Sequence, residues 1–468
     1  MKIRFSYPTH IVPPKSRIVI YGAGNNGQML FDAINESQIY AIIGIVDSRY
    51  VNDNPASIFE LSPEWLRSNT DYDFIVISVA DKSIQKEIKE SLYHLGIDNK
   101  KIVTIDNFYS FDAEDTTPIV INELNGNSLN ICLFSKFCGL GDQIITLGLY
   151  KNLTKLFTDC IIDIWSEHVV FSKSIFYGQD NLGEIIDCRD DSFARSYSDY
   201  DLFIEVSFEI LIKEFNKAKI ASYDNGICKR IEKQIEFQQK NYVDSLYNTY
   251  SDLILAERAK MIGTNRFGLL KGYGLFDEID ETAEVLIPED AWLFYDELNM
   301  PTKYITFSYG ANGVGKGTKT QTKMWISEYY TALFEMIKNF HPDIDIIQLG
   351  DEKANKIEGA DRYILGENLD SVKCILKKSL IHIDCEGGIT HLASHLGTKC
   401  IVLFGPTPEW FYGYKNNINI SSTKCRSCMG ISRNYQFECM KYDRPECMYS
   451  ITPDIVYNEF ERFIESIE

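Results

Sequence analysis

Apolar residues along this chain come in short unbroken runs, each followed by a glycine-rich turn or by a stretch with apolar positions at helical spacing. That alternation predicts buried parallel strands linked by helices. In the first block the strand Arg17–Tyr21 leads through a turn at residues 22–27 into a helix reaching about Asn35. The strands AIIGIVD, YDFIVISVAD and KIVTI follow, with a helix from about Ser83 to Gly96 before the last. The block closes near Asn107, and FDAEDTTP reads as an acidic linker. A second block opens with Leu129–Phe134, continues through a helix to about Phe157 and repeats the alternation through CIIDIW and DLFIEVSF. From Asn225 to Met261 the pattern changes to a polar helical stretch, either a substrate-shaping insertion or a solvated helical hairpin. The third block runs KYITFSYG, a helix Ser327–Phe340, DIDIIQLG, a helix Leu369–Lys378, LIHID, a helix Thr390–Leu396 and CIVLFG. A last helix, PDIVYNEFERFIESI, should pack back on the body. The expectation is an α/β protein with a Rossmann-like domain at 1–115 and a facing pair at 116–298 and 299–468.

Composition narrows the classes. With 468 residues, 45% of them hydrophobic, the chain is long enough for two or three cores. The 67 acidic residues outweigh 47 basic ones, giving a formal charge of −20 that repels phosphate backbones, so no nucleic-acid partner is expected. No apolar stretch is long enough for a membrane helix, and the opening MKIRFSYPTHIVPPKSR lacks the features of a signal peptide. The expected location is the cytoplasm, with a peripheral place at the inner membrane left open. Eight of the 12 cysteines are scattered through apolar surroundings, as reduced buried thiols are.

Several segments carry candidate chemistry. Gly22, Gly24 and Gly27 form a G-x-G-x-x-G turn between strand and helix, with Asp47 ending the next strand, where a dinucleotide fold holds a ribose. The readings are a tight turn closed by glycine, a nucleotide or nucleotide-sugar site, and, least favoured, NAD. In FCGLGDQ, Asp142 follows Gly139 and Gly141 at a strand-to-helix turn. Spacing alone leaves it either an N-cap or a general base. A second strand-to-helix turn, EGGITH at residues 386–391, offers backbone amides and a helix N-terminus to an anion. GANGVGKGT, residues 310–318, is similar to a P-loop, with Lys316 and Thr318 in the phosphate and metal positions, but TKTQTKMW separates it from its helix. Cys425, Cys428, Cys439 and Cys447 suit a tetrahedral structural zinc or iron site, with free thiols as the alternative.

The order and spacing of FSKFCGLGDQIITLGLYKNL (134–153) and LIHIDCEGGITHLASHLGTKCIVLFGPTPEW (380–410) resemble the bacterial heptosyltransferases of glycosyltransferase family 9. The resemblance runs over roughly 128–468 and implies a GT-B fold, two Rossmann-like domains facing a cleft. It further implies an inverting glycosyltransferase without catalytic metal, taking ADP-heptose or a related nucleotide sugar. The acceptor would be a surface glycan such as lipopolysaccharide core or capsule, lipid-linked in most of the family, or a protein. Asp142 takes the place of the family's proposed base. Aligning on His391 puts Glu386 where the family has Asp, Gly387 where it has Ser or Thr, and Gly388 at its glycine. Both changes put direct transfer of donor specificity in doubt. TKMWISEYY resembles the family's Lys-x-Trp segment and makes Lys323 a phosphate contact, joined by Lys316, Thr390, Gly405 and Thr407. Asp384 is read as structural. Related autotransporter heptosyltransferases carry similar cysteine clusters that hold iron. Rival readings are a nucleotide-sugar tailoring enzyme or oxidoreductase working from the first domain, and a non-catalytic nucleotide-sugar-binding scaffold. A homo-oligomer is compatible with the sequence.

Overall fold

The computed structural model describes residues 11–50, 61–107, 119–121, 128–135, 139–188, 197–206, 208–241, 251–281, 283–310, 322–425, 427–431 and 435–467. The chain divides into two compact units, Met1–Asp115 and Thr116–Glu468.

In the first unit, β1 (Arg17–Tyr21), β2 (Ala41–Val46), β3 (Phe74–Ile77) and β4 (Ile102–Thr104) form a parallel sheet in the order β2-β1-β3-β4. Alternate residues of β1 feed different cores: Ile18 and Ile20 pack on one face, Val19 and Tyr21 on the other. A strand covered on both faces has no reason to alternate with polar residues, hence the continuous run RIVIY.

The second unit holds two six-stranded sheets. β5 (Ile119–Ile121), β6 (Leu129–Ser135), β7 (Cys160–Ser166), β8 (Leu182–Asp187), β9 (Leu202–Val206) and β10 (Ile210–Asn216) lie in the order β5-β10-β9-β6-β7-β8. β11 (Tyr304–Ser308), β12 (Asp345–Gly350), β13 (Arg362–Leu365), β14 (His382–Cys385), β15 (Cys400–Phe404) and β16 (Ile418–Ser421) form the other, in the order β13-β12-β11-β14-β15-β16. Every pair in this last sheet is parallel, and its order is that of the dinucleotide-binding fold.

Two features differ from the sequence expectation. β9 and β10 pair antiparallel, because the link from Val206 to Ile210 is far too short for a parallel crossover. The polar stretch at 225–261 contains two helices, Asn225–Asn241 and Ser251–Met261, and the first is a packed element rather than a solvated one. Its Ile227, Ile231 and Ile235 enter the lobe's core. Gln238, fully buried, accepts from the Ile212 amide at 2.9 Å and donates to the Ile212 carbonyl at 2.7 Å. A polar helix is needed there to satisfy the β10 backbone where its register with β9 shifts.

The two lobes of the second unit share one apolar core running from β6 and β7, through the helix Leu140–Leu156, to the helix Gly388–His395 and β15. Lys373, fully buried, adds a polar staple. Its Nζ donates to the carbonyls of Ser174 at 2.6 Å and Leu286 at 2.9 Å and pairs with Asp370 at 2.8 Å. Desolvation lowers this ammonium's pKa. The closing helix Pro453–Ile467 buries Val456, Tyr457, Phe460 and Ile464 beside the helix Ser327–Phe340. Among the described residues no helix is long and apolar enough to cross a membrane.

Candidate active site between the lobes

In each lobe the strand order reverses at its first strand, and the crevice at such a switch point is where α/β sheets bind ligands. In the first lobe the switch lies between β6 and β9; in the second, between β11 and β14. The GD turn follows β6 and the EGG turn follows β14, so both open at switch points, and their helices pack against each other.

The contact explains two glycines. A Cβ on Gly141 would stand 2.8 Å from the His391 ring, and one on Gly388 would stand 2.9 Å from the Leu140 Cβ. Each turn omits a side chain where the other inserts one.

Asp142 lies in the first turn of its helix, whose N-cap is Gly139 without a side-chain capping bond, so Asp142 is not the N-cap. Its carboxylate folds back over the turn: Oδ2 lies 3.0 Å from the place a Gly139 Cβ would take. The side chain is 35% exposed, and Arg266 Nη2 stands 3.8 Å from Oδ1. Burial raises the Asp142 pKa above the ordinary aspartate value, opposed by Arg266, His391 and Lys323 and reinforced by Glu386. Arg266 is itself fixed. Nη1 donates to the Phe208 carbonyl at 2.9 Å, the guanidinium lies over the Phe208 ring, and the backbone amide donates across to Phe411 of the other lobe at 2.9 Å.

On the second lobe a charged chain runs through Glu386. Lys323 Nζ stands 3.4 Å from Glu386 Oε2, His391 Nε2 stands 3.5 Å from Oε1, and His391 Nδ1 meets the Tyr414 hydroxyl at 2.5 Å. Burial alone would raise the Glu386 pKa, but Lys323, His391 and the nearby Thr407 hydroxyl hold it down to about 2. Glu386 in turn raises the Lys323 pKa, so this pair is ionised at neutral pH. By hydrogen-bond geometry Thr407 Oγ1 has no partner among the described residues, although the side chain is only 5% exposed. We therefore read its influence on Glu386 as proximity rather than a formed bond.

Gly387 caps the helix Gly388–His395 in extended conformation, and a Cβ there would meet only the Cys385 carbonyl, at 3.9 Å. Thr390 turns inward, donating to that carbonyl at 2.9 Å. Gly405 serves packing, since its Cβ would fall 2.4 Å from the Met448 sulfur. Asp384 accepts from Ser308, from Tyr330 at 3.4 Å and from the Cys385 amide at 2.7 Å, which is a structural role.

Asp142, Lys323, Glu386, Gly387, Gly388, Thr390, His391 and Thr407 thus come from both lobes to one place. Lys316 and Thr318 lie outside the described residues. Arg266, Tyr412 and Tyr414 were missed in sequence: NRFGLLKGYG and FYGYK match no motif, and only the fold brings them to the turns. Burial raises the pKa of both tyrosines well above the usual value.

In the first unit Asp47 is already engaged. It accepts from the Ala23 amide at 2.8 Å and takes both Arg49 Nε and Nη2 at 2.9 Å. Burial works against its ionised form, but Arg49 and the amides lower its pKa. Gly22 has φ +114°, and a Gly27 Cβ would collide with the Gly22 carbonyl oxygen at 1.9 Å. A Gly24 Cβ would meet nothing within 4 Å. These observations account for Gly22, Gly27 and Asp47 as a turn and its clamp.

The four C-terminal cysteines are free thiols in one neighbourhood. Cys447 is pushed up to about 12 by burial and then by Cys425 and Cys428, and Cys428 is raised by burial, Cys439 and Cys425. As they stand, no three His, Cys, Asp or Glu side chains among the described residues are grouped to hold an ion.

Two facing Rossmann-like lobes with the site between them define a GT-B fold. Residues 289–440 match the family model for glycosyltransferase family 9 (heptosyltransferase), and residues 14–103 match the model for C2185-like, N-terminal. The chain therefore carries a heptosyltransferase-family domain and is a glycosyltransferase, with an appended N-terminal domain, as the sequence resemblance implied. The family match covers the second lobe and stops short of the GD turn.

Among solved structures, the fold is similar to dodecameric iron-containing heptosyltransferase TibC in complex with ADP-D-beta-D-heptose, from enterotoxigenic E. coli (TM-score 0.50, 11% identity, 75% of this chain and 78% of that one). Also similar are E. coli ADP-heptose lps heptosyltransferase II (TM-score 0.46, 13% identity, 72% and 99%) and a glycosyl transferase family 9 protein from Veillonella parvula (TM-score 0.46, 15% identity, 74% and 100%). Comparison with curated proteins gives no match.

Proposed function

We propose that this chain is an inverting, metal-independent transferase that moves a heptose from ADP-heptose, or a closely related nucleotide sugar, to a hydroxyl of a surface glycan or protein acceptor. The observation that carries this reading is the contact between the two glycine-rich turns, which sets a basic carboxylate on one lobe against a half-buried cation and helix N-terminus on the other. Asp142 removes the acceptor proton as the hydroxyl oxygen attacks the anomeric carbon. The bond from that carbon to the diphosphate breaks on the opposite face. Lys323 and the amides at the start of the helix Gly388–His395 receive the charge of the departing diphosphate, a task that fixed cations and helix dipoles perform in a shielded site. Thr407 Oγ1, buried and without a partner among the described residues, is a ready donor to the same group. Glu386, kept ionised, accepts from sugar hydroxyls while orienting Lys323 and His391.

The acceptor class follows from the sequence resemblance, while the family match and TibC, an iron-containing heptosyltransferase in complex with ADP-D-beta-D-heptose, lend support to the heptose donor and to a bound metal. The donor chemistry of four neighbouring thiols suits a structural zinc or iron ion, which Cys425, Cys428, Cys439 and Cys447 would hold as thiolates. In the first unit the engagement of Asp47 by Arg49 argues against a ribose contact and for a closed turn at Gly22 and Gly27.

The decisive variant is Asp142→Asn. Calorimetric binding of ADP-heptose should persist while transfer falls roughly 10²–10⁴-fold, the scale of a lost general base. Transfer at the parent rate would remove Asp142 from that role.

A further inference from the structure

The loop that carries the four cysteines reaches back to the nucleotide-sugar side of the site at two separate points. At the first, three donors converge on one acceptor: Ser427 Oγ at 2.6 Å, the Cys428 amide at 3.0 Å and the Met429 amide at 3.1 Å all donate to the carbonyl of Pro406. Pro406 immediately precedes Thr407. At the second, Thr322 is held by both its groups: its amide donates to the Gln436 carbonyl at 2.7 Å and its hydroxyl to the Tyr435 carbonyl at 2.6 Å. Thr322 immediately precedes Lys323. The two residues that face the diphosphate in the proposed mechanism are thus each fixed, one residue upstream, by the same loop.

The loop is anchored beyond the second lobe as well. Met429 and Tyr435 are buried with Phe411, and Ala256, Ala259 and Leu269 of the first lobe complete that apolar cluster. A loop serving only to cover its own lobe would have no reason to spend buried side chains across the crevice. Thr322 is only 5% exposed, so Tyr435 takes up a hydroxyl that would otherwise be buried unpaired. Tyr435 also adds to the rise in the Lys323 pKa, which places the loop's side chain within electrostatic reach of that ammonium.

We propose that the segments 427–431 and 435–436 form a wall of the donor site, with Thr322 and Ser427 as positioning residues that set Lys323 and Thr407 against the nucleotide diphosphate. The inference rests on the function proposed above and adds the loop to its binding machinery. It assigns the cysteine-bearing segment a part in donor recognition through main-chain carbonyls and two hydroxyls, independent of what the thiols bind.

The test is ADP affinity by calorimetry, with the donor KM and kcat, in Thr322→Val, Ser427→Ala and the rescue variant Thr322→Ser in the full chain. Loss of one positioning hydrogen bond should weaken ADP binding and raise the donor KM roughly 5–20-fold, with kcat changed much less. Thr322→Ser, which keeps the hydroxyl, should bind as the parent does. If Thr322→Val and Ser427→Ala bind ADP within about twofold of the parent, or lose thermal stability with no change in affinity per folded molecule, the wall is only structural and the inference fails. A parent chain that does not bind ADP at all would overturn the underlying donor reading instead, and the positioning claim with it.

Discussion

Asp142 is set between opposing influences. Burial favours its neutral form and Glu386 adds to that, whereas Arg266, His391 and Lys323 favour the carboxylate. The balance leaves the pKa raised, which strengthens the group as a base at some cost in its ionised fraction. A base works deprotonated, so transfer is lost as pH falls through its pKa. Arg266→Gln removes the largest influence lowering that pKa while burial stays, so the acid limb of the kcat/KM profile should move to higher pH. A limb that stays put or moves down would show that Arg266 does not set the base. The sequence made Asp142 a candidate through its flanking glycines. It could not reveal Arg266, whose only claim is a position reached through a buried guanidinium packed on Phe208.

At the scale of elements, the helices Leu140–Leu156 and Gly388–His395 fit by exchange of missing and inserted side chains. Gly141→Ala should therefore push directly on the His391 ring, which has little freedom because Tyr414 and Glu386 hold both its nitrogens. We expect about 1–3 kcal/mol of destabilisation, the usual cost of overpacking, together with a fall in transfer larger than the loss of folded protein explains. Wild-type melting temperature and activity in this variant would mean that the two turns are more loosely joined than described. The central strands and the helices Ser327–Phe340, Leu369–Lys378 and Pro453–Ile467 were legible because each has a clean period. The edge strands β8, β13 and β16 were not. Sequences such as LGEIID, RYIL and INIS are half-exposed and mixed in polarity, and only pairing to a neighbour makes them strands.

At the scale of the molecule, the second unit contains both glycine-rich turns, the charged chain and the cysteine loop. Expressed alone, residues 116–468 should keep the thermal stabilisation that ADP gives the full chain, and should carry about one equivalent of zinc or iron by elemental analysis. Stabilisation by NAD that needs the first unit would move the activity there, and metal-free protein folding and binding ADP normally would dismiss the metal. The sequence by itself determined the alternation of strand and helix, the two turns and the carboxylate and lysine beside them. Those depend on residues within a few positions of one another, where periodicity and glycine placement leave few options. Only the tertiary structure decided that Gly141 answers to His391, that Arg266 faces Asp142, that Asp47 is claimed by Arg49, and that a loop beyond residue 425 grips Thr322 and Pro406. Each of these joins residues through packing and hydrogen-bond satisfaction in three dimensions, and no local pattern encodes which distant partner will be there.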